Sequence, residues 1–395
     1  MHYKVVIVGG GSGGISVAAR LLREARNLSG QILILDPAGK HYYQPLWTLV
    51  GGGAVNREAS EREESSVIPE GAVWLQEAVQ SFNPEENKVM TSSGKAILYD
   101  YLVVAAGIQI DWNKIKGLKE SMGKDGVCSN YSYDYVNSTW ENLRNFKGGN
   151  AIFTAPSTVV KCGGAPQKIM YLADDYFRKS KVRDKAKVMF VSGGTKIFGV
   201  EKYADSLNKV IERKEIETHF KHNLIEIRGT EKIAVFEQLD TKQHVEIPFD
   251  MIHVVPPMSS PDFIKSSALA NAEGWVDVDK FTLQHNRFSN VFGIGDCASL
   301  PTSKTGAAIR KQAPVVVANL LSMMHKQPVV KEYNGYTSCP IVTGYGSLIL
   351  AEFNYTNEPD ETFPFDQGKE RWSMYQMKKE LLPLIYWNGM LKGLM

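Results

Sequence analysis

The sequence predicts an α/β protein, because three segments read as a buried strand that passes through glycines into a helix. These segments begin near Lys4, Ala186 and Asn290. Since a chain of 395 residues exceeds the size of one ordinary hydrophobic core, more than one domain is expected. We therefore expect two Rossmann-like dinucleotide-binding domains, one of them discontinuous in sequence, followed by a C-terminal segment of different character.

The first unit carries the residues that a dinucleotide requires. A strand is predicted over Tyr3–Val8, and Gly9, Gly11 and Gly14 follow it with the spacing G-x-G-x-x-G before a helix. The first glycine allows a tight turn, the second lets a pyrophosphate approach the backbone, and the third lets the helix pack on the strand. The next strand ends at Asp36, where an acid would hold a ribose hydroxyl. This order of elements predicts a dinucleotide site.

Two later segments indicate which dinucleotide binds there. "YDYLVVAAGIQ" is a hydrophobic strand with Gly107 at its end, and "NVFGIGDCASLPTSKTGAAIRKQAPVVVANLL" joins a strand to a helix through Asp296. With the glycine turn, these segments resemble the flavoproteins that have two dinucleotide domains. In that family Asp296 would meet the flavin ribityl chain. The helix near Ala307, helped by Lys304, would direct positive charge at the pyrimidine end of the ring. FAD is therefore the expected cofactor.

The second unit keeps the strand and helix but not the phosphate loop. After the strand that begins at Ala186, Gly193 and Gly194 remain, but the run Thr195–Phe198 replaces small residues with bulky ones. The following strand, predicted over 217–227, has no clear acid in the ribose position. Because the loop that would cradle phosphates is missing, this domain is expected to have lost NADH binding.

Composition narrows the classes of function. With 43% hydrophobic and 22% charged residues the chain is expected to fold, and a net charge of +2 gives no reason to expect nucleic acid. No apolar run approaches the roughly 20 residues of a spanning helix, and a strand predicted from Tyr3 leaves no room for a signal or transit peptide. The four cysteines are too far apart for a CxxC pair or a zinc knuckle. We therefore expect no metal site. We also expect the thiols to be free, as in a reducing compartment.

Two of the cysteines have surroundings that suit redox chemistry. Cys162 lies a few residues before a helix in which Pro166 suits the first turn, and a helix N-terminus lowers the pKa of a thiol. Cys339 lies on the strand segment that follows the flavin helix. If the two thiols meet over a flavin, they could form a reversible disulfide. The alternative is that each cysteine is a small buried core residue.

Four segments carry a resemblance to a known family. They read "VVKCGGAPQKIMYLADDYFRK", "GYTSCPIVTGY", "ETFPFDQGKERWSMYQMK" and "HYYQPLWTLVGGG". They resemble the sulfide:quinone oxidoreductases, best the group of the animal mitochondrial enzyme and its bacterial relatives, over essentially the whole chain. The resemblance implies an FAD enzyme on one membrane leaflet that oxidises hydrogen sulfide and reduces ubiquinone or menaquinone. It also implies a small sulfur acceptor, such as glutathione, sulfite or sulfide.

The resemblance further implies roles for the cysteines. Cys162 and Cys339 match the redox-active pair, with a persulfide expected on Cys339 and a thiolate on Cys162. Cys128 resembles a third cysteine that more distant bacterial members place near the flavin. It is either an auxiliary thiol or flavin attachment point, or a core or loop thiol. Cys297 is expected to be a buried packing residue.

The C-terminal segment differs in character from the rest. Residues 331–365 alternate like antiparallel strands, and the run after them mixes Lys378, Lys379 and Lys392 with aromatic residues and leucines. A helix of this composition suits a membrane interface, while the alternative is packing on its own domain or on a second subunit of a homodimer. Because the expected FAD contacts all lie within 3–321, the residues after about 365 are expected to be dispensable for FAD binding.

Residues 1–110 and 261–330 are expected to form the FAD-binding domain, and residues 111–260 the second Rossmann-like domain, which carries Cys162. Residues 331–395 are expected to contact the membrane and the quinone. The expected location is the surface of a bacterial cytoplasmic membrane, or the mitochondrial inner membrane if the chain is a processed form.

Two other functions stay open. A type II NADH:quinone oxidoreductase would need an intact second glycine loop, and a non-catalytic FAD-binding protein would need no reactive thiol.

Overall fold

The computed structural model describes residues 1–395, and its strands alternate with helices over most of that length. The strands β1 to β21, in chain order, are His2–Val8, Ile32–Leu35, Lys40–Tyr42, Glu61–Glu63, Ala72–Leu75, Val79–Asn83, Lys88–Thr91, Ala96–Val104, Gln109–Ile110, Val127–Cys128, Gly149–Ala155, Ala186–Ser192, Glu217–Phe220, His222–Arg228, Ile233–Gln238, His244–Pro248, Met251–His253, Met258–Ser259, Val291–Gly293, Thr337–Gly344 and Ser347–Phe353. The helices α1 to α11 are Ser12–Glu24, Trp47–Gly51, Glu64–Val67, Leu118–Ser121, Val136–Asn145, Ala165–Lys179, Glu201–Lys214, Asp262–Lys265, Gly306–Met324, Trp372–Gln376 and Leu382–Asn388.

One seven-stranded sheet combines strands from distant parts of the chain. Its order is β5-β2-β1-β8-β7-β6, and β19 pairs in parallel with the last residues of β8. The strand β1 lies between β2 and β8, which are both parallel to it, and its residues from Val5 to Val8 are buried. Because a strand covered on both faces is apolar throughout, this strand is recognisable from the sequence. Helix α1 packs on β1, β2 and α9.

A second, five-stranded sheet lies in the middle of the chain. Its order is β10-β17-β11-β12-β13, and every pair is parallel. The sequence prediction of one strand over 217–227 is wrong, since β13 and β14 are separate strands in different sheets. Lys221 stands between them with a φ of 59°, a left-handed conformation that interrupts the extended run. The strand β14 pairs instead with β15 in a three-stranded antiparallel sheet.

The C-terminal segment is a hairpin followed by short helices. The strands β20 and β21 pair antiparallel, and β20 packs against α6. The helix expected after them is interrupted by a π-helical turn over Met377–Leu381, which joins α10 to α11. Met390 and Leu391 are buried, and the turn that contains them packs on α1, so this part of the segment packs on its own domain. None of the helices combines the length and apolar character that crossing a bilayer requires.

Candidate active site

The first glycine turn has the shape that a dinucleotide needs. Gly9 has a φ of 107°, and a side chain there would collide with the backbone of Ala105. A side chain at Gly14 would collide with the carbonyl of Gly9, so the packing of α1 on β1 requires glycine. A Cβ atom at Gly11 would meet nothing within 4 Å, and neither would one at Gly107, whose φ is 73°. The backbone at Gly11 is therefore open to a phosphate.

Asp36 lies at the rim of this turn. Its Oδ2 accepts a hydrogen bond from the Gly10 amide at 2.5 Å, and its Oδ1 accepts one from the Ala38 amide at 2.7 Å. The carboxylate is thereby held just beyond the end of β2, next to the open backbone. An acid in this place can hold a ribose hydroxyl, as the sequence predicts.

A small cavity opens where the chain passes from β19 into α9. Its lining consists of Gly295, Asp296, Leu300, Thr302, Ser303, Lys304, Thr305, Ala308 and Gln312. Thr305 caps the helix, since its Oγ1 accepts a hydrogen bond from the Ala308 amide at 3.1 Å. The first turn of α9 therefore borders the cavity, and the positive end of the helix dipole favours negative charge there.

Asp296 and Lys304 share this cavity. Burial raises the pKa of Asp296, while the charges of Lys304 and Lys161 oppose the shift. The Lys304 amine donates a hydrogen bond to the Ala298 carbonyl at 3.1 Å and lies 4.1 Å from the centre of the Trp275 ring. Lys304 is thus fixed in place, and burial lowers its pKa.

The residues present fit FAD at both of its ends. The open backbone at Gly11 and the carboxylate of Asp36 would hold the adenosine diphosphate half. Asp296 and the start of α9 would hold the flavin half. Both sets follow the carboxyl ends of the parallel strands β1, β2 and β19, which is where open α/β sheets bind ligands.

Cys162 and Cys339 lie together although 177 residues separate them. Their Sγ atoms are 2.9 Å apart. Gly164 makes this approach possible, because a Cβ atom there would lie 2.6 Å from the Cys339 sulfur. Cys339 is buried on β20, while Cys162 is partly accessible in the loop before α6. The tertiary structure therefore brings together, as a dithiol, two thiols whose spacing in the sequence does not indicate that they are neighbours.

The loop that carries Cys162 is attached to the flavin side of the site. The Cys162 amide donates a hydrogen bond to the Lys304 carbonyl at 2.8 Å, and the Ala165 amide donates one to the Cys162 carbonyl at 2.8 Å. Cys162 has a φ of 58°, which is uncommon for a residue with a side chain. An unusual conformation held by two backbone bonds favours a functional role. The bond to Lys304 places the dithiol beside the cavity at the start of α9.

Two buried lysines lie near the dithiol. Lys168, near the start of α6, donates a hydrogen bond from Nζ to Cys162 Sγ at 3.2 Å. Lys378, in the π-helical turn, donates one to the Pro45 carbonyl at 3.0 Å. Each is 4% exposed, and neither forms an ion pair with a carboxylate. The charge of Lys168 therefore acts on the sulfur atoms at short range. Burial and, after it, the charge of Lys168 lower the pKa of Lys378 to about 7, so Lys378 is only partly protonated near neutral pH.

The surroundings of the two thiols shift their pKa values in opposite directions. A hydrogen bond from Cys339 and, after it, the charge of Lys168 hold the pKa of Cys162 well below its ordinary value despite burial. The bond to Cys162 and burial raise the pKa of Cys339. Burial by itself would lower the pKa of Lys168, but the charge on the thiols outweighs it and raises that pKa to about 12. A thiol with a lowered pKa is the reactive one.

Lys161 adds a third cation between the dithiol and the flavin cavity. Its Nζ donates hydrogen bonds to Gln44 Oε1 at 2.7 Å and to the Tyr131 carbonyl at 3.2 Å, and it lies 4.8 Å from the centre of the Trp47 ring. Loss of solvation lowers the pKa of Lys161 to about 8, and Asp296 opposes that shift. The contact with an aromatic face stabilises its charge.

Sequence reasoning missed these three lysines as site residues. Lys168 follows Cys162 by six positions, so the predicted helix start was a signal that could have placed it near the thiol. Lys378 reaches the site from the C-terminal segment, and no local pattern indicates that approach. Lys161 adjoins Cys162 in sequence, but whether its amine is buried depends on Trp47 and Tyr131.

The other two cysteines lie in the core. The Cys128 thiol donates to the Ile252 carbonyl at 3.5 Å, and burial raises its pKa to about 12. The Cys297 thiol donates to the Val104 carbonyl at 3.4 Å, and burial raises its pKa to about 11. Neither thiol bonds to the dithiol. This environment favours the core interpretation of Cys128 and agrees with the expected packing role of Cys297.

The second glycine loop lacks the features that bind phosphate. The strand β12 ends at Ser192, but α7 does not begin until Glu201. Ile197 and Phe198, in the segment between them, are buried. The helix N-terminus is therefore displaced from the glycines, and an acid occupies its first turn. Both features disfavour a nucleotide phosphate, in line with the expected loss of NADH binding.

Comparisons with known proteins place the chain in a family. The model of the pyridine nucleotide-disulphide oxidoreductases matches residues 3–318. The mitochondrial sulfide:quinone oxidoreductase of Mus musculus is 52% identical over 394 residues, which covers 99% of this chain and 87% of that protein. The enzyme of the same name from Dictyostelium discoideum is 53% identical over 392 residues, which covers 99% and 86%.

A solved structure shares the fold of this chain. The sulfide:quinone oxidoreductase of the hyperthermophilic bacterium Aquifex aeolicus superposes with a TM-score of 0.85 at 20% identity, covering 99% of this chain and 91% of that one. At this identity the likeness shows the fold alone. The two similar relatives carry mitochondrial names, so they lend no support to the bacterial location that the sequence suggested. The chain belongs to the sulfide:quinone oxidoreductases, within the pyridine nucleotide-disulphide oxidoreductase family.

Proposed function

We infer that the chain oxidises hydrogen sulfide and reduces a quinone, with FAD as cofactor and with Cys162 and Cys339 as the reacting pair. The observation that carries the assignment of the pair is the 2.9 Å separation of the two sulfurs. The backbone bond from Cys162 to Lys304 ties this pair to the flavin cavity. The membership of the chain in the family supports the overall reaction.

The protein's own residues divide the chemistry between the two sulfurs. In the oxidised state Cys162 and Cys339 form a disulfide, and hydrosulfide attacks the Cys339 sulfur. The S–S bond breaks, a persulfide forms on Cys339, and Cys162 leaves as a thiolate. Lys168 stabilises that negative charge from 3.2 Å. Once a nucleophile has removed the outer sulfur and left Cys339 as a thiolate, the two thiolates give up two electrons as their disulfide re-forms.

Removal of the outer sulfur from the persulfide requires a nucleophile. We propose a small anionic acceptor of the class of glutathione, sulfite or sulfide, because Lys168 keeps a buried positive charge beside Cys162 and an anion would favour the protonated form of Lys378, whose pKa is lowered to about 7 by burial. The Cys162 thiolate balances the charge of Lys168. FAD, when bound, takes up the two electrons and passes them to the quinone.

The C-terminal segment is proposed to meet the membrane that holds the quinone. Its four most exposed large apolar side chains are Trp372, Leu381, Leu384 and Leu394, with exposed fractions of 67%, 48%, 59% and 56%. Lys392 is exposed beside them. Large apolar side chains next to lysines favour an interfacial position rather than a spanning one. The mitochondrial inner membrane is the proposed location, in keeping with the names of the two similar relatives.

Sulfide is expected to bleach the flavin absorbance of the purified protein under anaerobic conditions, while NADH is not. The dithiol supplies a route for sulfide, whereas the second glycine loop lacks a helix N-terminus for NADH phosphates. The measurement is flavin absorbance after each reductant is added separately. Rapid bleaching by micromolar NADH would favour a type II NADH:quinone oxidoreductase, and bleaching by neither would favour a non-catalytic FAD-binding protein.

Charge on the exposed apolar side chains at the end of the π-helical turn and on α11 is expected to weaken attachment to vesicles. The double variant Leu381→Glu/Leu384→Glu places two carboxylates where we propose lipid contact, at a cost that rises with depth in the bilayer. Sedimentation with liposomes should show a clear loss of bound protein with flavin retained. Val245→Glu is the matched control, because Val245 is 36% exposed on β16, far from this segment in sequence. Equal sedimentation of both variants and the wild type would argue against the proposal.

A further inference from the structure

The C-terminal segment reaches the glycine turn through one side chain. Tyr386, on α11, is 4% exposed, and its hydroxyl lies 2.7 Å from the Ser12 hydroxyl and 2.5 Å from His41 Nε2. Ser12 is the first residue of α1 and stands between Gly11 and Gly13 in the turn. A residue 374 positions away in the chain therefore contacts the side chain of Ser12, within the turn whose backbone would face a pyrophosphate.

The hydrogen bonds of this cluster form a chain in which Ser12 donates to Tyr386 and Tyr386 donates to His41. His41 Nδ1 faces two acceptors, the Gly10 carbonyl at 3.2 Å and Glu64 Oε2 at 3.3 Å, so this nitrogen carries the hydrogen. In a neutral imidazole Nε2 then accepts, and the Tyr386 hydroxyl donates to it. The Tyr386 oxygen in turn accepts from Ser12. The hydroxyl of Ser12 is thus engaged with the C-terminal segment, which fixes the conformation of the turn.

Packing supports the same attachment. The Tyr386 ring lies 4.5 Å, centre to centre, from the Tyr43 ring. Farther along the segment, a Cβ atom at Gly393 would lie 2.6 Å from the Arg20 amide, so the chain follows α1 closely. On the same short helix Leu384 is 59% exposed. One face of α11 therefore contacts the glycine turn at Ser12, while another face is exposed to solvent.

We propose that Tyr386 is a positioning residue for FAD, so that docking of the C-terminal segment and binding of FAD stabilise each other. This proposal departs from the sequence expectation that the residues after about 365 can be removed with FAD still bound. The coupling is reciprocal by thermodynamic necessity, since each event favours the same conformation of the turn. The inference rests on FAD as the cofactor and not on the sulfide chemistry, so it is tested without turnover.

The test is the rate at which FAD leaves the Tyr386→Phe variant, followed by the rise in flavin fluorescence after dilution. Phenylalanine keeps the ring packing and removes only the hydroxyl. Loss of this bonded hydroxyl is expected to speed FAD release about 3- to 10-fold. Tyr375→Phe is the matched control, because Tyr375 is a buried tyrosine of the same segment whose hydroxyl has no hydrogen bond to another residue. Its release rate should equal that of the wild type.

A double-mutant cycle separates positioning from general destabilisation. Ser12→Ala should speed FAD release like Tyr386→Phe, and the double variant should be no faster than either single one. In the three variants the urea midpoint should fall more for the FAD-bound protein than for the FAD-free protein, because weaker FAD binding adds to the loss of the buried hydrogen bond. Bound FAD should also slow proteolysis within 382–395 in the wild type and do so less in Tyr386→Phe. The proposal would be overturned if FAD left Tyr386→Phe at the wild-type rate. It would also be overturned if the two substitutions multiplied each other's effect on the release rate in the double variant.

Discussion

Replacing Cys162 or Cys339 by serine is expected to reduce sulfide-dependent quinone reduction by on the order of 1,000-fold or more, with FAD still bound. A serine hydroxyl can neither form the bridge nor carry a persulfide, and it stays protonated near neutral pH where the Cys162 thiol ionises. Because both residues are needed for the same disulfide bond, losing either one already prevents it from forming. The double variant should therefore be hardly slower than either single variant. The measurement is steady-state quinone reduction with flavin content determined for each protein.

The matched controls are the remaining two cysteines. Cys297→Ser should keep most of the activity, because that thiol only packs in the core, and Cys128→Ser should be intermediate or near normal. Intact mass and thiol counting should detect a bridge between Cys162 and Cys339 in the air-oxidised enzyme that dithiothreitol removes. Two free thiols in that enzyme, together with a serine variant that turns over at the wild-type rate, would contradict the assignment of the pair.

Lys168→Met is expected to slow sulfide oxidation about 10- to 100-fold near pH 7, the range for loss of a charge-assisted hydrogen bond of about 1.5–3 kcal/mol. The bond from Cys339 is the main cause of the low pKa of Cys162, and the charge of Lys168 adds to it. Removing the ammonium raises that pKa, so a higher pH is needed to form the thiolate. The rate of the variant should therefore recover as pH rises, and its pH profile should shift to the alkaline side.

The control for this variant is Lys179→Met, on the same helix α6 but exposed at its end. It should have the wild-type rate and pH profile. Lys168→Arg should restore part of the rate, because guanidinium keeps the charge but not the geometry of the amine. A Lys168→Met enzyme that is slow at every pH by the same factor would show that Lys168 acts through packing and not through the ionisation of Cys162.

The sequence by itself determined the features that depend on neighbours along the chain. The turn after β1 follows from a buried parallel strand, three spaced glycines and a helix, and the collisions that side chains at Gly9 and Gly14 would cause explain the glycines there. The degenerate second loop was visible for the same reason, because Thr195–Phe198 adjoins its glycines. One local reading failed, at 217–227, where the left-handed residue Lys221 divides two strands without a proline or glycine to mark it.

The motifs of Cys162 and Cys339 were enough to recognise the family, but the electrostatics of the pair was decided only by the tertiary structure. Burial and charge act through space, so the low pKa of Cys162 depends on Lys168 and on the thiol of Cys339, 177 residues away. Lys378 contributes because the C-terminal segment folds back over the site. The bond from Tyr386 to Ser12 arises in the same way, between residues 374 positions apart. Spacing along a chain carries no information about such contacts, since they form only when separate elements pack together.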